Sequence, residues 1–201
     1  MAEDEWDAVI RVHLKGHAAA THHAVAYWRR RAKAGFEVKA SVVHTASVAA
    51  FAGHFGQANY TAAKLGIIGL SRVTAMEGER YGIRSNAISP SARTRLGLQG
   101  RGAEQTLRKP DDPAAFDRFD PSNVSPLVAW LATERCPATA QIFHIDGNRV
   151  LVMQMPSVVH QLFTQGQWTI EELERTLQHH LVSSPHVEDF LESHDFFASD
   201  R

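Results

Sequence analysis

"ASVVHTASVAAFAGHFGQANYTAAKLGIIGLSRVTAMEGERYGIRSNAISP", Ala40 to Pro90, decides the fold. Its first eight residues, Ala40 to Ser47, are short, β-branched and bounded by loop-like residues, which predicts a buried strand. From about Gln57 to Arg80 the apolar residues take helical spacing, and Ala62, Ala63, Gly66 and Gly69 add small side chains. A glycine inside a helix costs about 1 kcal/mol against alanine, so two of them predict close approach by another backbone. "IRSNAISP", Ile83 to Pro90, then reads as a second buried strand stopped by proline. Two buried strands joined through a long helix imply a parallel pair.

Working outward, "WDAVIRVHLKGHAAATHHAVAYWRRR", Trp6 to Arg31, contains no proline and carries two apolar stripes. One is Ile10, Leu14, Thr21, Val25 and Trp28; the other is Val9, Val12, Ala20 and Tyr27, so this helix should be covered on more than one side. Gly35 suits its left-handed close. After the second strand, Ser91 to Pro121 is rich in Gly, Pro, Arg and Asp and reads as a loop over a substrate site. Ser122 or Asn123 is the expected cap of the next helix. "QIFHIDGN", Gln141 to Asn148, is a third strand ending in a turn, followed by an edge strand broken near Pro156. Thr169 and Glu172 have capping-box spacing before an amphipathic helix, and Ser183 to Arg201 should be loosely held. Trp28, Trp130 and Trp168 lie on apolar faces and are expected in a core or an interface. The order predicts an α/β fold with a parallel sheet flanked by helices.

Composition narrows the functional classes. The chain has 201 residues, 44% of them hydrophobic, enough for one domain with a real core. Its formal net charge is −1, which gives no field for gathering phosphates, so nucleic acid is not an expected partner. The basic run "RRRAK" is read as a helix end. Cys136 is the only cysteine, and no apolar run approaches the roughly 20 residues that span a bilayer, so a cytoplasmic protein without membrane contact is expected. There are 12 histidines but no HExxH, and no metal site is expected. Ser47 lacks the G-x-S-x-G elbow of serine hydrolases.

The chemistry-bearing residues are Ser47, Tyr60 and Lys64. A spacing of four puts Tyr60 and Lys64 on one helix face. Free tyrosine has a pKa of about 10, but a neighbouring ammonium favours the phenolate, which could then take a proton from an alcohol while hydride moves to a nicotinamide. Ser47, at a strand end, could hold the reacting oxygen. The same spacing also describes an ordinary exposed lysine beside a half-buried tyrosine.

These residues occur within "GQANYTAAK" and are followed by "RSNAISPSARTRL"; with the opening "WDAVIRVHLKG" and the closing "QIFHIDGN" they resemble, in order from Trp6 to Asn148, the short-chain dehydrogenase/reductase family. The resemblance implies a Rossmann-type doubly wound sheet and reversible oxidation of a secondary alcohol, a 3-hydroxyacyl thioester or a hydroxysteroid, with NAD or NADP. It assigns Tyr60 as acid/base, Lys64 as the residue that tunes it and holds the nicotinamide ribose, and Ser47 as the holder of the substrate oxygen. Pro90 begins the segment that contacts the carboxamide, and Thr94 is the candidate hydroxyl there. His13 stands where the family usually has a catalytic asparagine; it could take that role, or be a locally bonded helix histidine with none. Nothing matches the glycine-rich TGxxxGxG turn, so by analogy roughly one hundred residues and four strands of the doubly wound fold are missing. The implied organisation is a catalytic half, 1–148, and an extension, 149–201. The strand over Ser41 to Ala46 would then lie at an open edge, and homo-oligomers are expected through the helices over 7–31 and 57–80. The rival expectation is an inactive remnant or interaction subunit that needs a separate cofactor-binding half.

Overall fold

The computed structural model describes residues 1–99 and 103–181. The expectation for Ser183 to Arg201 lies outside the described residues. Two compact units are distinguished, Met1–Met153 and a second beginning at Gln154.

The first unit opens with one continuous helical run in three parts: α1 (Glu3–Val9), a π-helical stretch (Ile10–Lys15) and α2 (Gly16–Lys33). Glu3, Asp4 and Glu5 occupy the first turn and Arg30, Arg31 and Lys33 the last, complementing the helix dipole at both ends. That charge placement carries the helix further at each end than its apolar pattern indicates. Gly35 closes it at φ +83°, with the Phe36 amide donating to the Arg31 carbonyl.

Strand β1 (Ala40–Thr45) pairs parallel with β2 (Ile83–Ser91), Ala40 opposite Ile83 and Thr45 opposite Ile88. Between them run the short α3 (Ala49–Ala52) and the long α4 (Ala58–Gly78). Alpha-helix α4 buries Ala63, Ile67, Ile68, Thr74 and Ala75, and ends so close to β2 that a Cβ on Gly78 would sit 2.9 Å from Ile83 Cβ. Gly66 receives the Leu14 side chain, whose methyls would be 3.1 Å from an added Cβ. Tight packing is therefore found at Gly66, against a side chain rather than a backbone, whereas at Gly69 nothing outside the helix's own backbone among the described residues lies within 4 Å of an added Cβ.

Beyond the loop, which holds the short α5 (Ala103–Thr106), α6 (Ser125–Ala132) leads to β3 (Ile142–Asp146), parallel to β2. The cap differs from expectation. Asp120, not Ser122 or Asn123, precedes a 3-10 turn over Pro121–Val124 and accepts the Ser122 amide at 2.8 Å. Proline at the first position after Asp120 fixes the chain there, which moves the start upstream. Strand β4 (Arg149–Met153) returns antiparallel to β3 through a tight turn, and the sheet order is β1-β2-β3-β4. All five residues of β3 are buried, whereas β4 alternates half-buried and exposed, as an edge strand should. Ile88, Leu127, Leu131, Cys136, Phe143 and Ile145 form the core beneath α6. Trp130 is not buried in it: the residue is 44% exposed and its ring meets the core edge-on at Phe143.

This is an α/β, Rossmann-like arrangement in which β1 is an edge of the sheet. The second unit contains α7 (Ile170–Leu177), opened by a capping box in which Thr169 Oγ1 accepts the Glu172 amide. No helix among the described residues is long and apolar enough to cross a membrane, and no group of three or more His, Cys, Asp or Glu side chains among them could hold a metal ion.

Candidate active site

The site begins with Lys64, only 5% exposed in the second turn of α4. Its Nζ donates to the Thr45 carbonyl at 2.8 Å, tying the helix to the C-terminal end of β1. Burial pulls the Lys64 ammonium below its ordinary pKa, because it takes the charge out of water. One turn earlier is Tyr60, with Nζ 5.4 Å from its ring centroid. The ordinary reading of the spacing, an exposed lysine beside tyrosine, does not describe this pair.

Tyr60 also meets His13, whose ring stands edge-on at 5.2 Å and 89°. His13 lies in the π-helical stretch, so the first helix and α4 converge on the phenol. Its pKa is lowered first by burial, then by the nearby Lys64 and His17 charges. The junction is pinned by Asn59, a residue the sequence reading passed over. Its side-chain oxygen accepts the Tyr60 amide at 2.7 Å, and its Nδ2 donates to the Glu5 carbonyl at 3.2 Å. The available signal was an asparagine in the first turn of a helix, where side-chain capping is common.

Ser47 lies two residues beyond Thr45, on the same end of β1, and is half-buried. Its Oγ accepts the Ala49 amide at 3.3 Å as α3 opens, which fixes the hydroxyl's direction while leaving its proton free to donate. Pro90 sits near the end of β2, opposite Ile145. Thr94 is exposed and accepts the Gly97 amide at 3.0 Å. Tyr60 thus meets both Lys64 and His13, Ser47 lies at the strand end to which Lys64 is tied, and Thr94 is engaged by its own loop.

That loop is fastened at both limbs. Arg93 pairs with Asp117 and donates to the Leu107 carbonyl at 3.0 Å, while its amide donates to the Phe119 carbonyl at 2.7 Å. Arg118 grips Asp146 through Nε at 2.8 Å and through Nη2. Gly147, at φ +59°, lies against Arg118, where an added Cβ would be 2.9 Å from Cγ.

Lys64 spends one of its three N–H bonds on Thr45, leaving two beside the phenol that could serve a bound molecule.

Residues 1–147 match the family described as enoyl-(acyl carrier protein) reductase. The hydroxyacyl-CoA dehydrogenase ChsB1 of Mycobacterium tuberculosis is 38% identical over 185 residues, covering 89% of this chain and 56% of the relative. A short-chain dehydrogenase from Mycobacterium avium superposes with a TM-score of 0.75 at 41% identity, over 89% of this chain and 57% of that one. A 4-hydroxyisoleucine dehydrogenase complexed with NADH gives 0.57 at 25% identity, over 73% of this chain and 60% of its own. The chain therefore spans a little over half the length of these proteins.

Proposed function

The chain belongs to the short-chain dehydrogenase/reductase family, and on that footing we propose that it carries the catalytic residues of an NAD(P)-dependent oxidation of secondary alcohols, acting on a 3-hydroxyacyl thioester. The observation that carries the reading is a buried, desolvated Lys64 whose Nζ is 5.4 Å from the Tyr60 ring centroid, with no acidic partner among the described residues. Such an arrangement is unfavourable for stability and useful for acid/base work. The likeness to a hydroxyacyl-CoA dehydrogenase supports the substrate class, and the NADH-bound neighbour supports the cofactor.

In this reading Ser47 donates to the substrate oxygen and Tyr60 takes the hydroxyl proton as the carbonyl forms. Lys64 supplies the positive charge that a phenolate needs and orients the ribose. Pro90 and Thr94 flank the carboxamide. The nicotinamide, when bound, supplies the hydride acceptor. Residues 1–148 form the catalytic part and 149–201 an extension. Titration with NADH and NADPH, followed by turnover of a 3-hydroxyacyl-CoA, tests the proposal. Absence of binding at millimolar cofactor sinks it.

A second reading is favoured by one observation, an apolar surface on the paired helices. Val12, Tyr27, Leu65, Val73 and Met76 are each at least 42% exposed, and β1 is an open edge. On that reading the chain is an interaction subunit that needs a separate cofactor-binding half, associates through the helices over 7–31 and 57–80, and has no turnover of its own. Light scattering during size exclusion, run beside the cofactor titration, separates the two: association without cofactor binding favours the second.

A further inference from the structure

The first helix leaves the α register over Ile10–Lys15 and inserts a π turn. Such turns are rare in helices and gather at functional positions. In this one the ring of His17 reaches back to the His13 carbonyl, with Nδ1 2.7 Å from the oxygen. A carbonyl can only accept, so Nδ1 carries the proton and the tautomer is fixed by the bond. The far side of the His17 ring lies almost parallel to His44, centroids 5.9 Å apart and planes at 26°. His44 sits within β1, 1% exposed, and its Nε2 has no hydrogen-bond partner among the described residues. Tyr60, His13, His17 and His44 thus form a row running from the candidate catalytic phenol into the sheet.

Packing alone does not account for this row. An unpaired buried ring nitrogen costs about 1–3 kcal/mol, and an apolar side chain of similar volume would avoid it. Nor does charge pairing account for it, because the groups facing His13 are Lys64 and Tyr60 from α4 and His17 from its own helix, with His44 of β1 behind His17. The cationic members carry the same sign when protonated. All of them are stable together only while the imidazoles stay neutral. Burial, followed by the His17 charge, accordingly pushes His44 down to about 4.

We propose that His17 is a positioning residue for His13: its Nδ1–H holds the His13 carbonyl at the π turn, His44 braces its ring, and the pair presents the His13 ring edge-on to Tyr60 as the group with which the phenol exchanges its proton. The inference rests on the reading of Tyr60 as acid/base. After the alcohol O–H breaks and Tyr60 gains the proton, the Tyr60 O–H breaks in turn, a water beside the two rings takes that proton and gives up one of its own, and an N–H forms on the His13 ring. The other ring nitrogen then gives up its proton to solvent. Burial, and after it Lys64 and His17, make the imidazolium unfavourable, so the proton is released rather than kept.

The experiment is an NMR titration of the His13 imidazole in the full chain without cofactor, with the contact between His13 and Tyr60 ring protons recorded alongside. In the wild type the His13 midpoint should lie below the ordinary histidine value of about 6.5, with the ring contact present. His17→Gln can still donate to the His13 carbonyl but cannot become charged; the contact should persist and the midpoint should rise. His17→Leu fills the space without donating, and should raise the midpoint and lose the contact. An unchanged midpoint and an unchanged contact in His17→Leu overturn the proposal. Should that variant fail to fold, His17→Gln decides alone: a raised midpoint with the contact kept supports the proposal, and an unchanged midpoint overturns it. Because the readout needs no turnover, an inactive chain that gives the expected titrations refutes only the dehydrogenase reading.

Discussion

Two buried charges at the same end of the sheet are treated in opposite ways. Lys64, 5% exposed, has one hydrogen bond to a backbone carbonyl and neighbours that are aromatic or basic. Asp146, 3% exposed, is held by Arg118 and Arg149. Burial alone would push the Asp146 carboxyl up, but the bonds from Arg118 and then Arg149 outweigh it and hold it below its usual range. Nothing offsets burial at Lys64, whose pKa falls. The compensated charge joins the loop's return limb to the β3–β4 turn; the uncompensated one faces the phenol. An unpaired buried cation is costly to stability and is found where reactivity is needed, so on the proposed function the contrast separates scaffold from chemistry.

The contrast can be broken at either end. Tyr60→Phe removes only the phenolic oxygen; turnover of a 3-hydroxyacyl-CoA should fall by about a hundredfold to ten-thousandfold, with the urea midpoint unchanged. Full activity in that variant ends the catalytic reading of this face. Asp146→Asn should act the other way, lowering unfolding free energy by about 3 kcal/mol because two buried-side guanidinium groups lose their counter-charge. Chemical denaturation measures it. The pH dependence has a definite sign. The folded-state pKa of Asp146 is depressed, so its contribution is present above the unfolded value of about 3.9 and disappears as pH drops through the folded one. Wild type should therefore lose stability below about pH 4 more steeply than Asp146→Asn.

Lys64→Met sharpens the comparison because function and stability should part. Catalysis is lost, while stability at neutral pH rises by about 1 kcal/mol, since an apolar chain replaces a desolvated ammonium. With the lysine pKa lowered in the folded state, its penalty is full below that pKa and vanishes as pH climbs to the unfolded value of about 10.4. The stability gap between variant and wild type should accordingly narrow in alkali; a variant less stable than wild type at pH 7 would show that the bond to Thr45 outweighs desolvation. The smallest effect is expected at Gly69→Ala. With open space around the position, helix propensity alone should add about 0.5–1 kcal/mol in thermal unfolding. A loss instead would mean that this face of α4 is covered by another molecule.

The strand, helix and strand over Ala40 to Pro90 were legible because buried β-branched runs and helical spacing are local patterns. Tyr60 and Lys64 were legible for a related reason, since a separation of four guarantees a shared helix face. Asn59, which bridges α4 to α1 across 54 positions, left no comparable trace. The helix cap at Asp120 was displaced because Pro121 fixes the backbone one step earlier than the polar pair behind it suggests. Trp130 lies on an apolar face and read as a core or interface residue; of the two, burial in the core is not what the structure gives, because only Leu127 and Leu131 of its helix are buried.

The sequence by itself determined an α/β chain with parallel strands and a phenol one turn from an amine, because both depend on periodicity and on distances along a single element. Only the tertiary structure decided that the amine is desolvated, that Arg118 and Arg149 converge on Asp146, and that His13, His17 and His44 line up behind Tyr60. Burial and charge compensation depend on which elements meet in space. Residues separated by tens of positions acquire their acidity from neighbours that no local spacing names.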